Sequence, residues 1–151
     1  MLNKRAVLVI DEAQALAAEV LEELRLFSNV NAGRTMLLQT VLVGQLSLRD
    51  TLRRPDMRQL MQRVAVDYQL TPLDKEQTGG YIRHRLRLAG GREDLFTGDA
   101  CDAVFAASSG IPRVVNLLCD MALAYGFADQ KLTVDGATVS EMLADRAREA
   151  S

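Results

Sequence analysis

Two neighbouring acids, Asp11 and Glu12, follow the short apolar run Ala6-Val7-Leu8-Val9-Ile10. In a parallel sheet, residues just past the carboxyl ends of the strands face the crevice where ligands bind. Two adjacent carboxylates there suit magnesium-dependent nucleotide hydrolysis. The first can hold the hard cation, directly or through water, and the second can orient and polarise the attacking water. Two solvated acids opening a helix, where negative charge is favoured in any case, fit the same pair. Gln45 closes a second apolar run, Arg58 and Arg63 lie in a basic stretch before a third, and Arg113 follows Gly110-Ile111-Pro112. His84 is the one histidine and has no Cys, Asp or Glu at ligand spacing beside it, so it reads as part of a helix face. Cys101 and Cys119 make no disulfide framework and read as buried thiols. Met57 and Met61 read as core filling. Arg83, Arg85, Arg87 and Arg92 read as a solvated basic face.

The elements that position these groups follow from periodicity. Residues 6–10 form an uninterrupted apolar run, the signature of a strand buried on both faces of a parallel sheet. Ala13, Leu16, Val20, Leu24 and Phe27 recur at helical spacing, and the segment 29–34 reads as a loop. A second buried strand is predicted over 37–43, stopped by Gly44-Gln45. Short helices are predicted over 46–53, ended before Pro55, and over 56–62. A third strand is predicted over 64–70, closed by Thr71-Pro72. Strands separated by helical segments argue for an open α/β sheet with crossover connections.

Beyond Leu73 the strand signal vanishes. Asp74 and Gln77 fit a reciprocal capping box for a helix that ends near Gly90-Gly91. Helices follow over 99–107, from Pro112, and over 135–148. The chain therefore divides into an α/β portion, 1–70, and an all-helical portion, 71–151. Its 151 residues carry a formal net charge of −2, with 48% hydrophobic and 25% charged side chains. That composition is ordinary for a globular protein and excludes a collagen, a disordered acidic tail and a strongly basic nucleic-acid wrapper. No apolar run nears the roughly 20 residues that span a bilayer, and no charged-then-apolar leader opens the chain, so a cytoplasmic location is expected.

Taken in order, the motifs resemble those of AAA+ ATPases. Val7-Leu8-Val9-Ile10-Asp11-Glu12-Ala13-Gln14 is similar to a Walker B segment, and Val41-Leu42-Val43-Gly44-Gln45 to the next strand with its polar sensor. Gln62-Arg63-Val64 sits where such proteins carry an arginine finger, and Gly110-Ile111-Pro112-Arg113 resembles the sensor-2 arginine of the helical lid. Leu21-Glu22-Glu23-Leu24-Arg25, Tyr81-Ile82-Arg83-His84-Arg85-Leu86 and Gly110-Ile111-Pro112-Arg113-Val114-Val115-Asn116 add a resemblance to the general secretion pathway protein A family. That family includes pilus- and exopolysaccharide-associated ATPases and is related to transposition ATPases. The resemblance implies a partial P-loop NTPase sheet followed by a lid, with ATP and Mg²⁺ as cofactors. Asp11 would position the metal, Glu12 would be the catalytic base, and Gln45 would orient the lytic water. Arg113 would reach the phosphates from the lid, facing the two acids across a cleft. Arg63, with Arg58 as its rival, would complete a neighbouring subunit's site. Self-association into an oligomer or ring is then part of the mechanism, because a guanidinium on developing phosphoryl charge is worth roughly a thousandfold or more.

The same resemblance implies work for secretion, pilus or exopolysaccharide assembly, with membrane-associated partners at the inner face of the inner membrane. A non-hydrolysing interaction module and a DNA-associated ATPase of the transposition type are the alternatives, the latter using the basic stretch 49–63. An ATPase of this class needs G-x-x-x-x-G-K-[ST], and none of the ten glycines here is followed by lysine. The chain is thus expected to be the carboxyl-terminal part of a larger ATPase and to bind ATP weakly or not at all by itself. In the family's sheet the phosphate-loop strand lies between the strands at 37–43 and 64–70. The chain is expected to close that gap by pairing them directly, or to associate through it.

Overall fold

The computed structural model describes residues 6–27, 31–32, 35–36 and 38–149. The chain forms two compact units, Met1–Tyr68 and Gln69–Ser151.

In the first unit, β1 (Ala6–Ile10) pairs in parallel with β4 (Leu38–Leu42), with Ala6 opposite Leu38 and Ile10 opposite Leu42. Leu37, the predicted start of that second strand, lies outside the described residues. Between the two strands in sequence come α1 (Ala18–Phe27) and a small antiparallel pair, β2 (Asn31–Ala32) with β3 (Thr35–Met36). Of the predicted loop 29–34, Asn31 and Ala32 form β2, and residues 29, 30, 33 and 34 lie outside the described residues. After β4 come α2 (Leu46–Leu52), a 3₁₀ turn at Pro55–Met57 and α3 (Arg58–Met61). Proline stands at the first position of that turn, where its lack of an N–H costs nothing. The core gathers Ala13, Leu21, Leu48, Met57 and Leu60, with Ile10, Leu16, Leu24, Leu42 and Leu52 packed on it.

Three expectations are corrected here. β1 is not buried on both faces: Val7 and Val9 are 55% and 60% exposed, and only Ile10 joins the core. A strand is covered on both sides only where elements pack on both faces of the sheet, and in this unit the Val7 and Val9 face stays open. The helix predicted from Ala13 is broken. Residues 13–15 form a single 3₁₀ turn, Leu16 is extended (φ −76°, ψ 138°), and α1 starts at Ala18. The break resets the helical register, so Leu21 is fully buried while Val20 is exposed. Finally, 64–70 carries no strand. Its residues belong to no helix or strand, with a bend at Ala65, and Val66, Tyr68 and Leu70 are exposed by 79%, 80% and 85%. An apolar alternating run becomes a strand only in a ladder with a second strand, and the strand pairings among the described residues, β1 with β4 and β2 with β3, do not include it. Bonds from Arg49 Nε and Nη2 to Asp67 Oδ2, at 3.2 and 3.0 Å, hold the segment instead. Direct pairing of this segment with β4 does not occur.

The second unit is helical: α4 (Lys75–Leu88), α5 (Gly98–Ser108), α6 (Pro112–Ala128) and α7 (Gly136–Glu149). The capping box at the start of α4 is complete. Asp74 Oδ1 accepts the Gln77 N–H at 2.8 Å and Gln77 Oε1 accepts the Asp74 N–H at 3.0 Å. At its other end the N–H groups of Gly90 and Gly91 donate to the carbonyls of Arg87 and Leu86, with Gly90 at φ +77°, which closes the helix in a Schellman motif. The core runs through Ile82, Phe96, Val104, Val115, Leu118, Val134, Val139 and Met142. Short connections are stitched by backbone bonds: Thr97 N–H to Val134 O at 3.0 Å, and Leu73 N–H to Gly110 O at 2.9 Å.

Candidate functional site

Asp11 and Glu12 leave β1 at its carboxyl end and are both exposed. Glu12 sits in the left-handed region, φ 53° and ψ 34°, which an L residue adopts only when its surroundings hold it there. The holding groups are visible. Asp11 Oδ1 accepts the Glu12 N–H at 2.8 Å. Past the last paired residues the ladder continues, with Val43 N–H donating to Ile10 O at 2.8 Å and Ala13 N–H to Val43 O at 2.9 Å. Those bonds draw the exit of β4 against the turn that carries the acids.

Gln14 completes the junction. Its Nε2 donates to Glu12 Oε2 at 2.5 Å, and its Oε1 accepts the Gln45 N–H at 3.0 Å. The two segments approach so closely that a Cβ at Gly44 would press on the amide of Gln14 and displace it. A Cβ there would stand 2.7 Å from Gln14 Oε1, 3.0 Å from Leu48 Cδ2 and 3.3 Å from Gln14 N. Ala13 is fully buried between the same elements, so a small residue is required there too.

The structure thus brings Asp11, Glu12 and Gln45 together at the joint exit of two parallel strands. Gln45 is the N-cap of α2 in extended geometry, and its side-chain amide makes no cap bond and no other hydrogen bond among the described residues. Asp11 Oδ2 likewise makes no hydrogen bond among the described residues. Among the described residues no group of three or more His, Cys, Asp or Glu gathers as for a metal.

The cations lie on other elements. Arg58 opens α3, and Arg63 stands in the turn that follows it, its N–H bonded to Leu60 O at 3.0 Å; both side chains are exposed. Arg113 lies in the first turn of α6, exposed and without an ion pair or hydrogen bond among the described residues. Gly110, ahead of it, has φ +70°, and a Cβ there would stand 1.8 Å from Leu73 O. The Gly-Ile-Pro-Arg sequence is therefore fitted to a close approach of the chain that enters the helical unit.

His84 contacts Arg87 Nη2 through Nδ1 at 3.0 Å on the exposed face of α4. Arg87 also meets Glu93, and Arg92 forms a fork with Asp94, so the basic run is partly neutralised. Cys101 and Cys119 are free thiols, with burial pushing Cys119 up to about 12. The helical unit has its own hollow of about 330 Å³, lined by Lys75, Gly79, Arg83 and Cys101 among others, and no predicted site residue lines it. The residue to which sequence reasoning assigns no role is Gln14. Its signal is its place two residues beyond Glu12, in a run that otherwise turns apolar.

Residues 1–52 match a family described as AAA domain. General secretion pathway protein A of Aeromonas hydrophila is 46% identical over 126 residues, which cover 83% of this chain and 23% of that protein. The chain spans about a quarter of that relative's length. Among solved structures, a mutant form of RuvB from Thermotoga maritima superposes with a TM-score of 0.71 at 17% identity, covering 91% of this chain and 44% of that one. The fold is that of an α/β P-loop NTPase of the AAA+ kind, a parallel sheet followed by a helical unit. By sequence the chain is related to the AAA domain family and to general secretion pathway protein A.

Proposed function

We propose that this chain supplies the hydrolytic half of a Mg-ATP site in an AAA+ ATPase. The observation that carries the reading is the junction of Asp11, Glu12 and Gln45 at the carboxyl ends of two parallel strands, where ligands of α/β sheets bind. Asp11 offers a free carboxylate oxygen to Mg²⁺, which would bridge and neutralise phosphate oxygens. Glu12 takes up the proton of the attacking water, and the uncommitted Gln45 amide orients that water. The segment 71–151 serves as the lid, with the exposed Arg113 as its phosphate-sensing cation. Arg63, or Arg58 beside it, serves a neighbouring subunit in trans, which makes an oligomer the working form.

The phosphate-binding loop would come from sequence beyond these 151 residues, since no glycine here is followed by lysine. The biological setting we propose is that of the related secretion protein: a motor or switch acting with secretion, pilus or polysaccharide-assembly proteins at the inner face of the inner membrane. Among the described residues no helix is long and apolar enough to cross that membrane. Binding to nucleic acid is disfavoured. In the basic stretch 49–63, Arg49 and Arg54 are already paired with Asp67 and Asp56, and the net charge is −2.

Calorimetric titration of Mg-ATP separates the readings. This chain is expected to bind weakly, with a dissociation constant above about 100 μM, because the groups that contribute most of the phosphate affinity are elsewhere. The longer protein is expected to bind in the micromolar range and to hydrolyse. Micromolar affinity in this chain would contradict the division of the site. Tight, steeply salt-dependent binding to duplex DNA would favour the transposition-type reading instead.

A further inference from the structure

The geometry points to Gln14 as a positioning residue, one side chain that sets the aim of Glu12 by tying its carboxylate to the backbone of Gln45. The inference rests on the hydrolytic reading of Glu12, and adds to it a residue for which no role follows from that reading.

The chemistry at both ends of the Gln14 amide leaves one orientation. The Gln45 N–H can only donate, so it must meet the amide oxygen; a carboxylate can only accept, so Glu12 must meet the amide nitrogen. A single planar group therefore spans two strands: Oε1 reads the exit of β4, and Nε2 holds Glu12 Oε2. The other carboxylate oxygen of Glu12 is left to face water. The strained backbone of Glu12 raises the need for such a hold, since its left-handed φ of 53° is not a conformation that a glutamate keeps unaided. Two neighbours defend the tie. Gly44 provides the space into which Oε1 fits, at 2.7 Å from where a Cβ would be, and buried Ala13 fixes the turn between the two bonded residues. Any displacement of the β4 exit, where Gln45 stands ready for the water, is then passed to Glu12 through one side chain. The two groups that must converge on that water move as one.

Three variants separate this from a merely structural role. Gln14→Leu removes both bonds, Gln14→Glu keeps the acceptor for Gln45 but sets carboxylate against carboxylate at Glu12, and Gln14→Asn retains the amide on a shorter stem. In this chain, amide hydrogen exchange at Gln45 is expected to speed up roughly fivefold in Gln14→Leu and to stay within about twofold of wild type in Gln14→Glu. In the longer protein, both Leu and Glu variants are expected to lower kcat about a hundredfold with KM for Mg-ATP nearly unchanged, because orientation is lost while nucleotide contacts remain. Gln14→Asn should recover part of that loss. Unchanged exchange in Gln14→Leu would overturn the inference whatever the protein hydrolyses, and so would a kcat that rises or stays level. If neither wild type nor variants hydrolyse ATP while the exchange pattern holds, the tie stands and the hydrolytic reading of Glu12 falls.

Discussion

At the scale of single residues, the site is a matter of how few atoms lie between two strand exits. Asp11 bonds to the N–H of Glu12, Gln14 bonds to its carboxylate, and Gly44 leaves the gap through which the bond to Gln45 passes. The acids are legible in the sequence because an apolar run ending in two carboxylates is a local pattern. Gln14 is not, because its role exists only when residues 14 and 45 meet, and no spacing rule announces a contact 31 positions apart. Gly110 makes a similar case in the helical unit. With φ +70° and Leu73 O at 1.8 Å from an added Cβ, Gly110→Ala is expected to cost about 3 kcal/mol, read as a lower denaturant midpoint for the helical unit. The cysteines give a chemical prediction. Burial holds the Cys119 thiol protonated, up to about 12, so at pH 8 almost no thiolate is present. Iodoacetamide is expected to leave Cys119 unmodified in the native protein and to label it rapidly in denaturant.

Elements differ in how much of their fate is local. The four long helices of the second unit fall close to their predicted spans, because capping boxes, glycine stops and a leading proline act within a few residues. Breaking one of those signals has a predictable cost: Asp74→Ala, which removes the α4 cap, is expected to lower stability by about 1 kcal/mol in chemical unfolding. The strands depend on partners far along the chain or outside it, and there a reading of local pattern fails. Residues 64–70 have the alternation of a strand and none of its ladder, while β1 has the apolar run of a buried strand and an open face. Both errors have one cause, since a periodic pattern states what a segment can bury and not what will cover it. With Val66 and Tyr68 about four-fifths exposed, the double variant Val66→Lys with Tyr68→Lys is expected to leave the thermal midpoint unchanged. The same variant is expected to remove any concentration-dependent association seen by analytical ultracentrifugation, because an exposed apolar segment without a ladder recruits strands from other chains. A fall of several degrees in the midpoint would show instead that the segment is packed.

For the molecule as a whole, acid is the informative stress. Asp99 is held below the usual carboxylate range chiefly by the Thr97 hydroxyl, then by the Gly136 N–H, and Asp135 by the N–H and then the hydroxyl of Thr138. Both lie in the helical unit, bracketing its α5 and α7 starts. A carboxylate whose folded value is depressed contributes stability that is complete above the unfolded value, near pH 4, and is lost as the pH falls through the folded value. Denaturant midpoints of the helical unit are therefore expected to hold between pH 7 and about 5 and to drop below pH 4, with Asp135→Asn flattening that drop.

The account as a whole turns on Glu12 acting on water beside bound Mg-ATP. Steady-state turnover by the longer protein carrying Glu12→Gln, measured together with its nucleotide affinity, tests that most directly. The account predicts a loss of turnover on the order of a hundredfold to ten-thousandfold, with Mg-ATP bound as tightly as in wild type. Turnover that survives the substitution would contradict it.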